Sequence, residues 1–251
     1  MIDQQIVLLT GATGTIGRQL LQHLLVKGYH VVATTRSQKN KQLLEKQFST
    51  KNISILISDL TTSNASEQLV EELIQKQLKP SVLINCARDV KQLRAADEAI
   101  VPREKWITEY LLDVVVPYEL SMLIATMPDS QLQTIVNISS IYGMVAQNPT
   151  LYAEPAKSLT NNYGAAKAAL IQTTRDLAVQ LAPKVRVNCV SFGGVRHHVP
   201  QSFINRYKKL TPQKRMLEKK DVIGPVLFLI SPEAATITGH NLVADGGWTI
   251  W

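Results

Sequence analysis

Tyr163-Gly164-Ala165-Ala166-Lys167 places a phenol and an ammonium four residues apart, at the start of a run, Ala165 to Leu181, that reads as a helix. At about 3.6 residues per turn the two side chains share one face, roughly 6 Å apart along the axis. A free phenol, with a pKa of about 10, is a poor proton donor or base at neutral pH. A nearby ammonium stabilises the phenolate, and lowering the pKa by about 3 units takes roughly 4 kcal/mol. Tyr-x-x-x-Lys is thus an acid/base pair suited to reducing a carbonyl. The small residues between let another body approach, expected to be a nicotinamide ring and its substrate. The same two residues on a surface helix ordinarily mean nothing, so the rest of the chain must supply the partner.

The amino-terminal end supplies it. Gln5 to Leu9 is an apolar run suited to a buried parallel strand. Thr10-Gly11-Ala12-Thr13-Gly14-Thr15-Ile16-Gly17 follows, then a helix expected over Arg18 to Lys27. Strand, glycine turn and helix form the context in which backbone approaches a dinucleotide pyrophosphate at a helix N-terminus. His30 to Thr35 reads as the second strand. An acid near its end would hold the ribose 2′-OH of NAD. Thr35 and Arg36 stand there instead, and no acid occurs between Gly11 and Glu45. A cation at that point suits a 2′-phosphate, so NADP(H) is favoured, with NAD(H) as the other choice.

These sites need a scaffold. Strands are expected at Ile53 to Ser58, Ser81 to Cys86, Leu132 to Ile138, Val185 to Val190 and Asn241 to Ala244. Helices are expected at Lys39 to Phe48, Ser66 to Leu78, Pro102 to Thr126 and Lys219 to Ile230, with a kink or break at Pro117. The alternation predicts an α/β fold, a Rossmann-type doubly wound parallel sheet of about seven strands with helices on both faces. It forms one domain over residues 1–251. Ser139-Ser140 ends its strand at the carboxyl edge, where ligands bind in such sheets. Gln147 to Asn162 reads as a polar connection. Residues 192–220 read as a mobile substrate loop with short helical pieces.

Bulk properties narrow the function classes. The chain has 251 residues, 45% hydrophobic and 19% charged, as expected of a globular protein. A net charge of +7 without a basic run interleaved with aromatics fits a basic enzyme better than a nucleic-acid binder. The two cysteines, Cys86 and Cys189, lie in apolar runs and read as reduced thiols of a cytoplasmic protein. Met1 leads straight into a strand, so no signal peptide is expected. Val222 to Ile230, the longest apolar run, is too short to span a bilayer. His197 and His198 lack a neighbouring carboxylate or Cys in sequence, so no metal site is expected.

In order and spacing, the pieces resemble the short-chain dehydrogenase/reductase family, in its compact single-domain branch. The carrying motifs are Thr10 to Gly17, Asp59-Leu60, Asn85-Cys86-Ala87, Ile135 to Ser140, Tyr163 with Lys167, Arg186 to Ser191, and Thr238-Gly239 through Asp245-Gly246-Gly247. The resemblance implies a hydride-transferring oxidoreductase with Tyr163 as general acid or base. Lys167 would hold the nicotinamide ribose, and Ser140, chosen over Ser139 by counting from Asn137, would orient the substrate oxygen. Asp59 would meet the adenine amino group, with Leu60 beside it. Asn85 and Ala87 would lie along the cofactor. The family also implies a homodimer or homotetramer.

Several positions depart from the pattern. Gly11, Gly14 and Gly17 are spaced as in the longer sugar-nucleotide branch, whose epimerases and dehydratases need a C-terminal domain for which little chain remains. The family's Asn seven residues after a Trp is matched by Trp106 and Asp113. Asp113 is expected to fix the relay water or pair with Lys167. Arg88 stands where Gly is usual and Phe192 where Pro is. Arg88 would be either a solvated rim residue or a holder of an anionic substrate group, with Tyr142 and Arg196 as further substrate contacts. Eight cations between Arg196 and Lys220 face the single acid Glu218 and would draw in an anionic substrate. A sugar phosphate, a nucleotide sugar or a carrier-bound acyl group fits. In Ile138 to Gly143 the chain also looks like members from surface-sugar pathways, and otherwise like 3-oxoacyl-carrier-protein reductases. The alternative is a catalytically impaired nucleotide-binding or regulatory protein on the same fold.

Overall fold

Short runs rich in apolar residues, most of them buried on both faces, become the strands of one parallel sheet. The computed structural model describes residues 5–48, 50–89, 100–155 and 159–251. Among them the strands are β1 (Ile6–Leu9), β2 (His30–Thr35), β3 (Ile53–Ile57), β4 (Val82–Asn85), β5 (Thr134–Ser140), β6 (Arg186–Phe192) and β7 (Asn241–Ala244). Their order is β3-β2-β1-β4-β5-β6-β7, every pair parallel. This is the expected doubly wound sheet.

Alternation along β1 divides the core between two layers. Val7 and Leu9 pack with Leu20, Leu21 and Leu24 of α1 (Thr15–Val26) and with Val226 and Leu229 of α8 (Ile223–Ile230). Leu8 faces the other way. It packs with Leu69 and Leu73 of α3 (Ala65–Gln75), Leu120 and Ile124 of α5 (Val116–Thr126), and Leu177 of α6 (Asn161–Leu181). Beside β2 and β3 runs α2 (Gln38–Gln47), anchored by Leu44. The chain reverses direction across the sheet between β1 and β4, which pair at Leu9 and Ile84. At that switch point the carboxyl ends open a crevice.

The expected long helix from Pro102 to Thr126 is interrupted. It begins as α4 (Arg103–Tyr110), passes through a π-helical turn at Leu111–Val115 and resumes as α5. The Val116 N–H bonds back to the Leu111 carbonyl, five residues away. Pro117 has no N–H to offer the Asp113 carbonyl, which favours the widened turn. The break thus precedes the proline and falls on Asp113.

Two helices start three or four residues upstream of expectation, and one starts downstream. α1 begins at Thr15, so Ile16 and Gly17 are within it. α6 begins at Asn161, so Tyr163 sits in its first turn. Residues 219–222 form a separate 3₁₀ turn ahead of α8. The 192–220 segment contains a full helix, α7 (Gln201–Leu210). Its Tyr207 is buried, stacks on Trp248 at 4.4 Å between ring centroids, and accepts a hydrogen bond from the Gly194 N–H at 2.8 Å. Of the connection from Gln147 to Asn162, residues 156–158 lie outside the described residues.

Candidate active site

The crevice at the switch point is a cleft of about 340 Å³ that runs from the glycine turn to α6. Gly11, Thr13, Gly14, Thr15, Ile16 and Gly17 line one end, and Tyr163 and Lys167 the other. Gly11 has φ +69°, and a Cβ there would sit 2.6 Å from Ala87 Cα. The turn therefore closes onto the end of β4 only because this residue is Gly. Gly14, the residue preceding the helix, brings no side-chain cap, and the first turn of α1 carries no acid. A bare, positively polarised helix end facing the cleft fits the pyrophosphate of a dinucleotide.

Thr10 ties two strand ends together. Its buried Oγ accepts from the Cys86 and Ala87 N–H groups at 3.0 and 3.1 Å, binding the end of β1 to that of β4 below the cleft. Asn85 also joins strands. Its Nδ2 donates to Asn137 Oδ1 at 2.8 Å, and Asn137 Nδ2 donates to Thr174 Oγ1 at 2.9 Å, a buried chain from β4 through β5 to α6. The Asn85 Oδ1 is buried with no hydrogen-bond partner in the protein. Asp59 is exposed and accepts from the Thr61 N–H and hydroxyl, while its neighbours Ser58 and Leu60 line the cleft. Arg36 and Ala87 line it too. Arg36 Nη1 also meets Asp89 Oδ2 at 3.3 Å.

At the α6 end, Lys167 is buried and its Nζ donates to Asp113 Oδ1 at 2.9 Å and to the Ile138 carbonyl at 2.8 Å. The π turn delivers Asp113 to this point, and of the two expectations for it the direct pair with Lys167 is the one present. Ser139 lines the cleft, and its Oγ donates to the Lys167 carbonyl at 3.3 Å. Ser140 Oγ accepts from the Tyr142 N–H at 3.2 Å, capping the 3₁₀ turn Ile141–Gly143. That turn lies directly on α6. A Cβ on Gly143 would stand 2.8 Å from the Lys167 backbone carbonyl carbon and oxygen. Gly143→Ala is therefore expected to cost about 1–3 kcal/mol, the range for overpacking, and to impair turnover by moving Ser140 from α6. Urea denaturation and steady-state assay of the variant check both.

Tyr163 has Arg88 on its ring, with Cζ 3.7 Å from the centroid, and the Tyr142 ring edge-on at 6.3 Å. Arg88 lines the cleft and is not a solvated rim residue. Its side chain is only 22% exposed, and its Nε and Nη2 both donate to Glu109 Oε1, at 3.3 and 3.2 Å. Glu109 is 2% exposed, and burial pushes its carboxyl above the usual carboxylate range against the pull of Arg88. Sequence reasoning missed Glu109. Its spacing of four from Asp113 on one helix was the available signal.

Of the expected substrate contacts, Tyr142 is near Tyr163 but shares its hydroxyl with the Tyr152 hydroxyl at 3.2 Å. Burial raises its pKa, with Tyr152 adding to the rise. Arg196 is not brought to Tyr163. It lies 3.7 Å from Glu218 and lines a separate open cavity with Gln19, His197, His198, Lys219 and Lys220. Among the described residues no group of three or more His, Cys, Asp or Glu side chains stands close enough to hold a metal ion, and no helix is long and apolar enough to cross a membrane.

Residues 11–249 match a family model described as enoyl-(acyl carrier protein) reductase. The post-translational flagellin modification protein A of Campylobacter coli is 26% identical over 255 residues, covering 99% of each chain. The 3-oxoacyl-(acyl-carrier-protein) reductase of Haemophilus influenzae is 28% identical over 252 residues, covering 97% of each. A solved short-chain dehydrogenase of Leptospira borgpetersenii, with bound NAD⁺, superposes with a TM-score of 0.84 at 26% identity, covering 98% of this chain and 93% of that one.

Proposed function

Because this chain belongs to the short-chain dehydrogenase/reductase family, whose members are oxidoreductases acting on CH–OH and C=O groups, we propose that it moves a hydride between NADP(H) and a ketone or secondary alcohol on an anionic small molecule. The observation that carries the reading is Tyr163 and Lys167 lining the same cleft as the glycine turn. When bound, the nicotinamide supplies or accepts the hydride. Tyr163 passes the proton to or from the substrate oxygen, and the Ser140 hydroxyl orients that oxygen. Lys167 holds the nicotinamide ribose at the mouth of its pair with Asp113. The glycine turn and the first turn of α1 hold the pyrophosphate.

Arg36 supports the choice of NADP(H), since it lines the cleft at the end of β2 where a 2′-phosphate would lie. Its partner Asp89 leaves it half exposed, free to turn toward a phosphate. Charge-assisted bonds to a phosphate contribute about 1.5–3 kcal/mol. Arg36→Ala should therefore weaken NADPH binding about tenfold to a hundredfold and change NADH binding less than about threefold. Fluorescence titration of both cofactors checks this, and equal losses would remove the NADP preference.

The cations of the 192–220 segment support an anionic substrate, as a sugar phosphate, nucleotide sugar or carrier-bound acyl group. The relatives named for flagellin modification and for acyl-carrier-protein reduction are in keeping with those classes. Exposed Ile107, Tyr110, Val115 and Tyr118 along α4 and α5 support a homodimer or homotetramer. The test of the whole reading is NADPH oxidation with a panel of anionic ketones, repeated with Tyr163→Phe. Tight NADPH binding with no turnover across the panel would favour the regulatory alternative.

A further inference from the structure

Two cations surround one phenol, each paired with a buried acid, and they stand at different distances from its ring. Lys167 Nζ lies 5.9 Å from the Tyr163 ring centroid and is bound to the Asp113 carboxylate at 2.9 Å. A carboxylate that close cancels much of the ammonium's field at a third site, so Lys167 acts on Tyr163 as one end of a dipole. Arg88 is closer. Its Cζ stands 3.7 Å from the ring centroid, a contact distance that admits nothing between them. A phenolate spreads negative charge into its ring. A cation over the face therefore favours the phenolate more than the neutral phenol.

Glu109 fixes that cation. Both donors, Nε and Nη2, go to one oxygen of a carboxylate that is itself buried on α4. Glu109 and Asp113, four residues apart, thus hold one cation each, with the π turn beginning between them. Burial opposes the charge on Arg88, but Tyr163, Glu109 and Asp113 together more than restore it, so the guanidinium remains charged. We infer that Arg88, anchored by Glu109, is a positioning residue that stabilises the phenolate form of Tyr163 and replaces the share of the Lys167 charge that Asp113 takes up. The inference rests on the oxidoreductase reading of this cleft. The charged and titratable groups around the ring are Arg88 at the end of β4, Glu109 on α4, Asp113 in the π turn, Lys167 on α6, and Tyr142 and Tyr152 after β5.

The test uses the full-length protein. Arg88→Met alone would strand a buried carboxylate and risk misfolding, so the charge-neutral pair R88M/E109Q is made beside E109Q. Tyrosinate absorbance is titrated for each, and subtracting the same background with Tyr163→Phe isolates the one phenol. The Tyr163 transition should move up by about one pH unit in R88M/E109Q. In E109Q, where the guanidinium keeps an amide oxygen to bond and loses its counter-charge, it should stay or move down. The alkaline limb of kcat/KM for ketone reduction should follow the same order. A transition unmoved in R88M/E109Q, or raised equally in E109Q, overturns the assignment. The absorbance titration needs neither cofactor nor substrate. A Tyr163 transition that moves as expected in a protein with no turnover would therefore count against the oxidoreductase reading and leave the Arg88 assignment standing.

Discussion

Tyr163→Phe should lower kcat/KM for ketone reduction by about a thousandfold, within the range of general acid catalysis by a positioned side chain. The substitution removes one hydroxyl and keeps the ring. Arg88 still has a face to lie on, and the edge contact with Tyr142 remains. The α6 segment around it also stays packed, because Ala166 and Leu170 are buried whatever the phenol carries. The loss should therefore appear in the chemical step. Cofactor affinity should change less than about threefold, and the thermal midpoint by no more than a few degrees. Single-turnover measurement of hydride transfer, beside cofactor titration, separates these. A variant that keeps wild-type rates would show that the proton comes from elsewhere. A variant that loses cofactor binding along with rate would make the phenol part of the binding surface instead.

The elements of this fold were legible where one period dominated. His30–Thr35 and Asn241–Ala244 were read to the residue, because short runs of apolar and β-branched residues have turn signals on both sides. Helix starts were harder. The polar residues Asn161 and Asn162 look like connection in sequence, yet Asn162 is buried at the start of α6, its Nδ2 reaching the Lys105 carbonyl. Tertiary contact, invisible in a local window, decides that end. The site was legible in its spacing motifs and illegible in its pairings. Tyr163 with Lys167, and Gly11 through Gly17, announce themselves by sequence distance. Arg88 with Glu109 are 21 residues apart and Lys167 with Asp113 are 54 apart. Only the register of β4 beside β5 and the widening of the helix at Leu111–Val115 bring them together. Asn85 and Thr10 fall in motifs associated with a ligand, and sequence alone does not show that the Asn85 Nδ2 and the Thr10 Oγ also tie strand ends together at the cleft floor.

The second large effect concerns stability. Lys167→Met should destabilise the protein by about 3–5 kcal/mol, the range for breaking a buried ion pair by removing one partner. In a chain of this length that corresponds to roughly 10 °C in thermal midpoint. Asp113 is 1% exposed, and its Oδ2 has no hydrogen-bond partner in the protein. Without Lys167 its Oδ1 loses the ammonium as well, and a buried carboxylate would be left without a counter-charge among Leu112, Val116, Leu170, Thr10 and Asn85. Asp113→Asn is milder, because an amide oxygen still accepts from Nζ and the Ile138 carbonyl still holds the ammonium. It should cost about 1–2 kcal/mol and leave turnover within about tenfold. The pair K167M/D113L removes both charges together, and such replacements are often neutral for stability. It should therefore recover most of what Lys167→Met loses while remaining inactive. Urea denaturation of Lys167→Met, Asp113→Leu and the pair gives the coupling energy, expected at about 2–3 kcal/mol, and assays on these samples and on Asp113→Asn give turnover. Lys167→Met as stable as wild type would mean that the Lys167–Asp113 pair does not hold the fold together.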